Sequence, residues 1–146
     1  MGEKKNNSIK ETQHVLVKRL NQALHIEYTL IIHYPYIAGS IHNEEARNLT
    51  IELGVASIHH ADVIATMINE LGGTPHWSFE ALPREIDLTS FFLNQISREK
   101  RAMDLHRGSA ALAAASPYGR VLAALADEEA LHIKNAERIV LLLHNQ

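Results

Sequence analysis

A chain of 146 residues with 46% hydrophobic side chains is long enough to fill one core, and its 5% aromatic content suits packed helices better than a β-rich interior. The 14 Lys and Arg against 17 Asp and Glu leave a net charge of −3, which lacks the basic footprint of a nucleic-acid binder. No cysteine is present, so disulfides, thiolate zinc sites and iron–sulfur ligation are excluded, and any metal must be held by oxygen and nitrogen donors.

The first seven residues are charged and polar, with no apolar stretch after them that resembles a signal peptide. They are expected to form a disordered tail (1–7) ahead of a single domain at 8–146. No apolar run approaches the ~20 residues that span a bilayer. The expectation is a soluble, cytoplasmic protein with no membrane or nucleic-acid partner.

Ser8-Ile9-Lys10-Glu11 fits a capping box and places a first helix start there. Leu16, Leu20, Ala23, Leu24, Tyr28 and Ile31 then follow the helical period. Pro35 cannot donate to the Ile31 carbonyl, which predicts a kink or an end near Tyr34. The second helix is expected from about Asn43, with Glu44 and Glu45 well placed in its first turn, until Gly72-Gly73 stops it. A third runs from about Asp87 to Ala115, and Ser116-Pro117 reads as a cap with proline at the first position of a fourth.

The predicted helices are thus 8–38, 43–72, 87–115 and 117–143. Short connections make the first and second, and the third and fourth, antiparallel hairpins. The linker 73–86, with Pro75 and Pro83, reaches about 46 Å when extended at ~3.3 Å per residue. A 28-residue helix is about 42 Å long, so the linker can cross the length of a bundle. The fold class is all-α: a four-helix bundle of two hairpins joined by one long crossover.

Both halves carry one spacing of metal-type ligands. Glu27 precedes His60 by the same interval as Glu99 precedes His132, and Glu129 stands one turn before His132. A shift of 72 residues superposes these pairs and sets Ser57 on Glu129. Glutamate and histidine at i and i+3 share one helix face. Two such pairs, with a lone Glu on each of two other helices, are the donor plan of a two-metal carboxylate bundle. Five of its six residues are present. Glu52, His59 and Asp62 sit wrongly on their helix to replace the sixth. Gly54 lies one turn before Ser57, so two small residues follow one another and leave room for water, an anion or a neighbouring side chain. Tyr34 and His106 are equivalent under the shift, each seven positions after its lone Glu. Each is either a hydrogen-bonding support to the site or a core residue with a polar tip. Trp77 and Phe79 are expected to pin the linker.

Three segments resemble the ferritin-like superfamily, especially bacterioferritins and their smaller relatives. Leu20-Asn21-Gln22-Ala23-Leu24-His25-Ile26-Glu27 is similar to the first-helix ligand motif, with Tyr34 in place. His60-Ala61-Asp62 with Leu71-Gly72-Gly73-Thr74-Pro75 is similar to the second-helix end. Asp127-Glu128-Glu129-Ala130-Leu131-His132 is similar to the fourth-helix Glu-x-x-His. The resemblance implies that Glu27 and Glu99 are terminal carboxylates, His60 and His132 nitrogen ligands, and Glu129 the bridging carboxylate. It implies one or two iron ions, with manganese or zinc as substitutes, and ferroxidase-type chemistry with oxygen or peroxide. Homo-oligomers, dimers first, are also implied.

Ser57 departs from the pattern by replacing a bridging Glu. Ile58 stands where bacterioferritin has its haem-ligating methionine, so no haem is expected. The chain also ends soon after the fourth helix, without a fifth. With metal more tightly held on the Glu129–His132 side, the site is expected to be asymmetric. The rival readings are a non-enzymatic bundle with a decayed site, used for binding or assembly, and an oxygenase with a small-molecule pocket beside Gly54 and Ser57.

Overall fold

The computed structural model describes residues 2–84 and 87–144. Four helices follow in chain order: α1 (Gly2–Ala38), α2 (Glu44–Glu70), α3 (Leu88–Leu112) and α4 (Tyr118–Leu143). There is no strand among the described residues. α1 packs on α2 and α3, and α4 packs on α3 and α2, so α1 faces α4 across one diagonal and α2 faces α3 across the other. The architecture is the expected bundle of two hairpins.

Several boundaries have visible local causes. The Asn43 side chain accepts from the Ala46 amide, and Asp87 does the same for Ser90, satisfying amides that the first turn leaves unpaired. At the far end of α2, Gly72 adopts φ +80°, and the Gly73 and Gly72 amides return to the Ile68 and Asn69 carbonyls. This is the paired closure that glycine makes cheap.

Two expectations are corrected. α1 begins at Gly2, so residues 2–7, expected as a tail, are helical and exposed; Ser8 lies inside the helix and its carbonyl accepts from Thr12 Oγ1. Nothing between Gly2 and Ser8 blocks helix propagation. Of the two outcomes expected at Pro35, a kink or an end, the end is excluded: α1 runs on to Ala38, the predicted bound. Ser116 does not cap α4: its hydroxyl donates to the Ala113 carbonyl and closes the end of α3 instead.

Two apolar clusters fill the bundle. One holds Leu30, Ile37, Leu53, Phe92 and Ile139, and the other Leu20, Leu24, Ile64, Ile68 and Leu122. Along α1 the clusters meet at Glu27, along α2 between Leu53 and Ala61, and along α4 between Leu125 and Ile133. A polar layer is therefore clamped between two oily ones. Each fully buried Leu or Ile contributes roughly 1.5–3 kcal/mol, which is how the fold tolerates buried charge between them.

The crossover is laced to α1. Asn21 bonds the Thr74 carbonyl and the His76 amide, His25 bonds Ser78 Oγ, Thr29 accepts from the Glu80 amide, and His33 donates to the Glu80 carbonyl. Every fourth residue of a helix, ~6 Å apart, meets every second residue of an extended chain, ~6.6 Å apart. Trp77 and Phe79 pack edge-on against Tyr28, each with ring centroids 5.4 Å away, which is the anticipated pinning with its partner identified. By length and composition α2 is apolar enough to cross a membrane, contrary to the reading of the apolar runs. Half of that window is buried in the bundle, and its inner face carries buried Thr50, Ser57 and His60, the composition of a core helix.

Candidate metal centre

Helical periodicity brings Glu27 from α1, Ser57 and His60 from α2, Glu99 and His106 from α3, and Glu129 and His132 from α4 to the polar layer. All are buried; His132 alone, at 9%, keeps measurable exposure. The donors form two sets. Glu27, His60, His106 and Glu129 make one, and Glu99, Glu129 and His132 the other. Glu129 belongs to both: its Oε1 lies 2.7 Å from His60 Nδ1 and 3.6 Å from His106 Nε2, while its Oε2 lies 3.5 Å from His132 Nδ1.

Electrostatics follows from this crowding. Burial pushes the Glu27 carboxyl up, and the charge of Glu129 adds to it. Burial likewise holds Glu99 well above the usual carboxylate range, reinforced by the neighbouring Glu129 carboxylate. Burial also opposes ionisation of Glu129, but the protonated carboxyls of Glu99 and Glu27 and the imidazoles of His106 and His132 crowded around it outweigh burial and hold it well below that range. Burial disfavours a charged His60, yet hydrogen bonds to Glu129 and Glu27 push it up to about 11. For His132 the same contest, with Glu129 and Glu99 as partners, ends at about 9. His106 is raised too, with bonds to Glu129 and Glu27 overcoming burial.

The donor set passes a test of fit. Among the described residues the buried side-chain atoms without a hydrogen-bond partner include Glu27 Oε2, Glu99 Oε2, Glu129 Oε2 and His132 Nδ1. An interior rarely leaves such atoms unsatisfied unless something else binds there. His132 Nδ1 stands 3.6 Å from Glu99 Oε2, too long for a hydrogen bond but suited to two ligands of one ion.

One residue gains a role not read from the sequence, and Tyr34 and His106 settle between the two roles left open. Glu128, half exposed, places Oε2 2.5 Å from His60 Nε2. This carboxylate–imidazole contact leaves Nδ1 as the nitrogen that faces the site. The offset pairs Glu128 with Ala56, so His132 has no carboxylate at the equivalent place. His106 and Tyr34 exchange halves: Tyr34 on α1 donates from its hydroxyl to Glu99 Oε1 on α3 at 2.9 Å, and His106 Nε2 on α3 lies 3.4 Å from Glu27 Oε1 on α1. Burial, then the Glu99 charge, raises Tyr34 well above the ordinary phenol value, keeping it a donor.

Ser57 is fully buried, and its hydroxyl has no partner. The space beside Gly54 is taken by α1, with Tyr34 Cβ and the Pro35 ring 3.4–3.5 Å from where a Cβ would stand. Gly54 thus serves the α1–α2 contact, and of the occupants allowed for, neighbouring side chains of α1 take the space on its side. Four candidate donors gather on the His60 side and three on the His132 side.

Neither a family model nor a curated protein matches the chain in sequence. Solved structures do match in shape. A ferritin-like, diiron-carboxylate protein from Bacillus anthracis superposes with a TM-score of 0.79 at 20% identity, over 88% of this chain and 97% of that one. The fold is ferritin-like. A bacterioferritin of Desulfovibrio desulfuricans, described as having a diiron site, gives a TM-score of 0.74 at 18% identity over 93% of this chain and 84% of its own. A dodecameric, bacterioferritin-related thioferritin from Bacteroides fragilis gives 0.78 at 20% identity, over 91% and 88%. Within this ferritin-like bundle the polar layer sits at mid-length, enclosed by all four helices.

Proposed function

We propose that this protein binds iron at a paired carboxylate–histidine site and oxidises iron(II). Glu27, His60, Glu99, Glu129 and His132 hold the ions, and manganese or zinc would enter the same donors. The reading is carried by Glu129, whose two oxygens address separate donor sets inside a water-poor layer. The diiron description of the similar Bacillus anthracis and Desulfovibrio desulfuricans proteins supports it.

Iron here is the substrate. Two iron(II) ions each give up one electron; dioxygen takes both with two protons and leaves as hydrogen peroxide, or peroxide takes both with two protons and leaves as two waters. The carboxylates favour the more highly charged product ion, and the apolar layers on either side restrict water. Two divalent ions bring four positive charges against three carboxylates. Ser57 contributes none, so a hydroxide or small external anion beside its hydroxyl would supply the remaining negative charge. The tyrosine and carboxylate outside the donor sets hold geometry: Tyr34 orients Glu99, and Glu128 orients His60.

Assembly into homo-oligomers, dimers first, is part of the proposal. Ile51, Val55 and Ile58 form an exposed stripe on the outer face of α2, and the similar thioferritin is dodecameric.

The test is elemental analysis of protein purified without added metal, followed by anaerobic iron(II) loading and exposure to oxygen or peroxide. One to two bound ions per chain and rapid formation of iron(III) are expected. A chain that takes up no stoichiometric metal and keeps its fold under chelation would instead be a bundle with a decayed site, the reading that Ser57 favours.

A further inference from the structure

We propose that His106 is itself a metal ligand, closing a four-donor set of Glu27, His60, His106 and Glu129 that holds the first ion. This rests on the metal-binding reading above and extends it to a residue outside the five-donor plan.

Donors about 2.05 Å from one tetrahedral ion lie about 3.3 Å from each other. His106 Nε2 is 3.4 Å from Glu27 Oε1 and 3.6 Å from Glu129 Oε1, and His60 Nδ1 is 3.2 Å from Glu27 Oε1. The His106 separations exceed the 2.7–3.2 Å of a good N–H···O bond, yet the ring nitrogen faces two carboxylates at once. The one shorter edge, 2.7 Å from His60 Nδ1 to Glu129 Oε1, is a hydrogen bond whose proton an entering cation would displace.

The placement also answers Ser57. On the His132 side Glu129 completes the Glu-x-x-His pair, and the shift-equivalent position is Tyr34, a phenol that only needs to hold Glu99. On the His60 side the pair is broken by Ser57, and the equivalent position carries an imidazole, able to ligate as neutral nitrogen. Two imidazoles and two carboxylates balance one divalent ion. Glu99, Glu129 and His132 then remain as a three-donor set with a free coordination position, on the side where His132 reaches solvent. A closed set retains its ion, whereas an open one admits water or oxidant. The chain therefore holds one ion as a resident and exchanges the other.

Cobalt(II) titration tests this on the full chain, using His106→Gln, which keeps an N–H donor toward Glu27. Wild-type protein should give the intense visible absorption of four-coordinate cobalt with the first equivalent. His106→Gln should lose that absorption and bind the first equivalent more than tenfold more weakly. Retention of both the band and the affinity overturns the assignment while leaving metal binding intact. If the variant does not fold, proton NMR of wild-type protein with one equivalent of cobalt decides. Two strongly shifted imidazole N–H signals, from His60 and His106, support the assignment, and one overturns it. No cobalt uptake by wild-type protein overturns both readings together.

Discussion

Replacing Glu128 with alanine removes the acceptor from the outer nitrogen of His60 without touching any donor to the ions. The 2.5 Å contact fixes which ring nitrogen faces the site and makes that nitrogen more basic. Partners of this kind are typically worth 10–100-fold in metal affinity, or about 1.4–2.7 kcal/mol. Glu128 is 47% exposed, so water can take its place and salt screens its charge. The lower end applies, and about a tenfold loss is expected. It should fall on the first ion alone, because the residue equivalent to Glu128 on the other side is Ala56. Competition between the protein and a chromophoric chelator for zinc or cobalt measures both steps. Unchanged affinity, or equal weakening of both ions, would refute the assignment of Glu128 to His60.

Ser57→Glu should raise metal content toward two ions per chain and speed iron(II) oxidation, since the new carboxylate supplies the missing charge. Because Ser57 is fully buried, the metal-free variant should lose about 1–3 kcal/mol to overpacking; calorimetry with and without metal separates the effects. The metal-free protein should melt at falling temperature as pH rises from 6.5 to 9. His132, raised to about 9, and His60, raised to about 11, contribute stability that is complete below the free-histidine value of 6.5 and is lost as pH climbs through those values. Glu129 stays ionised across the interval and does not reverse the sign. A melting temperature that rises there contradicts the carboxylate–imidazole network. Gly54→Ala should stabilise the fold by about 1 kcal/mol and leave metal content unchanged, because its Cβ would meet Tyr34 and Pro35 at ordinary contact distance. Destabilisation in a denaturant titration would show that the α1–α2 contact needs the glycine.

Helix number, hairpin pairing and the crossover were legible because period, caps and linker length are properties of one segment at a time. The same holds for Glu27, His60, Glu99, Glu129 and His132, whose shared interval repeats along the chain. The compensation for Ser57 was not legible. A search along α2 compares only residues of that helix, whereas His106 arrives from α3 across the bundle diagonal. Glu128 escaped notice for a related reason: on α4 it points away from Glu129, and only the neighbouring α2 gives it His60 to meet. The helix start at Ser8 failed because a good cap sequence is no barrier when the residues before it also form helix.

The lacing of the crossover has an optical consequence. Trp77 is the only tryptophan in the chain, and it rests edge-on against Tyr28 while half exposed to water. Its emission therefore reports on the strap rather than on the bundle interior. Lifting the strap would separate donor and acceptor rings, quench the energy passed from Tyr28, and shift the indole emission to longer wavelength while the helical circular dichroism stayed constant. A chain with a single well-placed fluorophore thus carries its own gauge for one segment's detachment, readable without labels and distinguishable from loss of the helices.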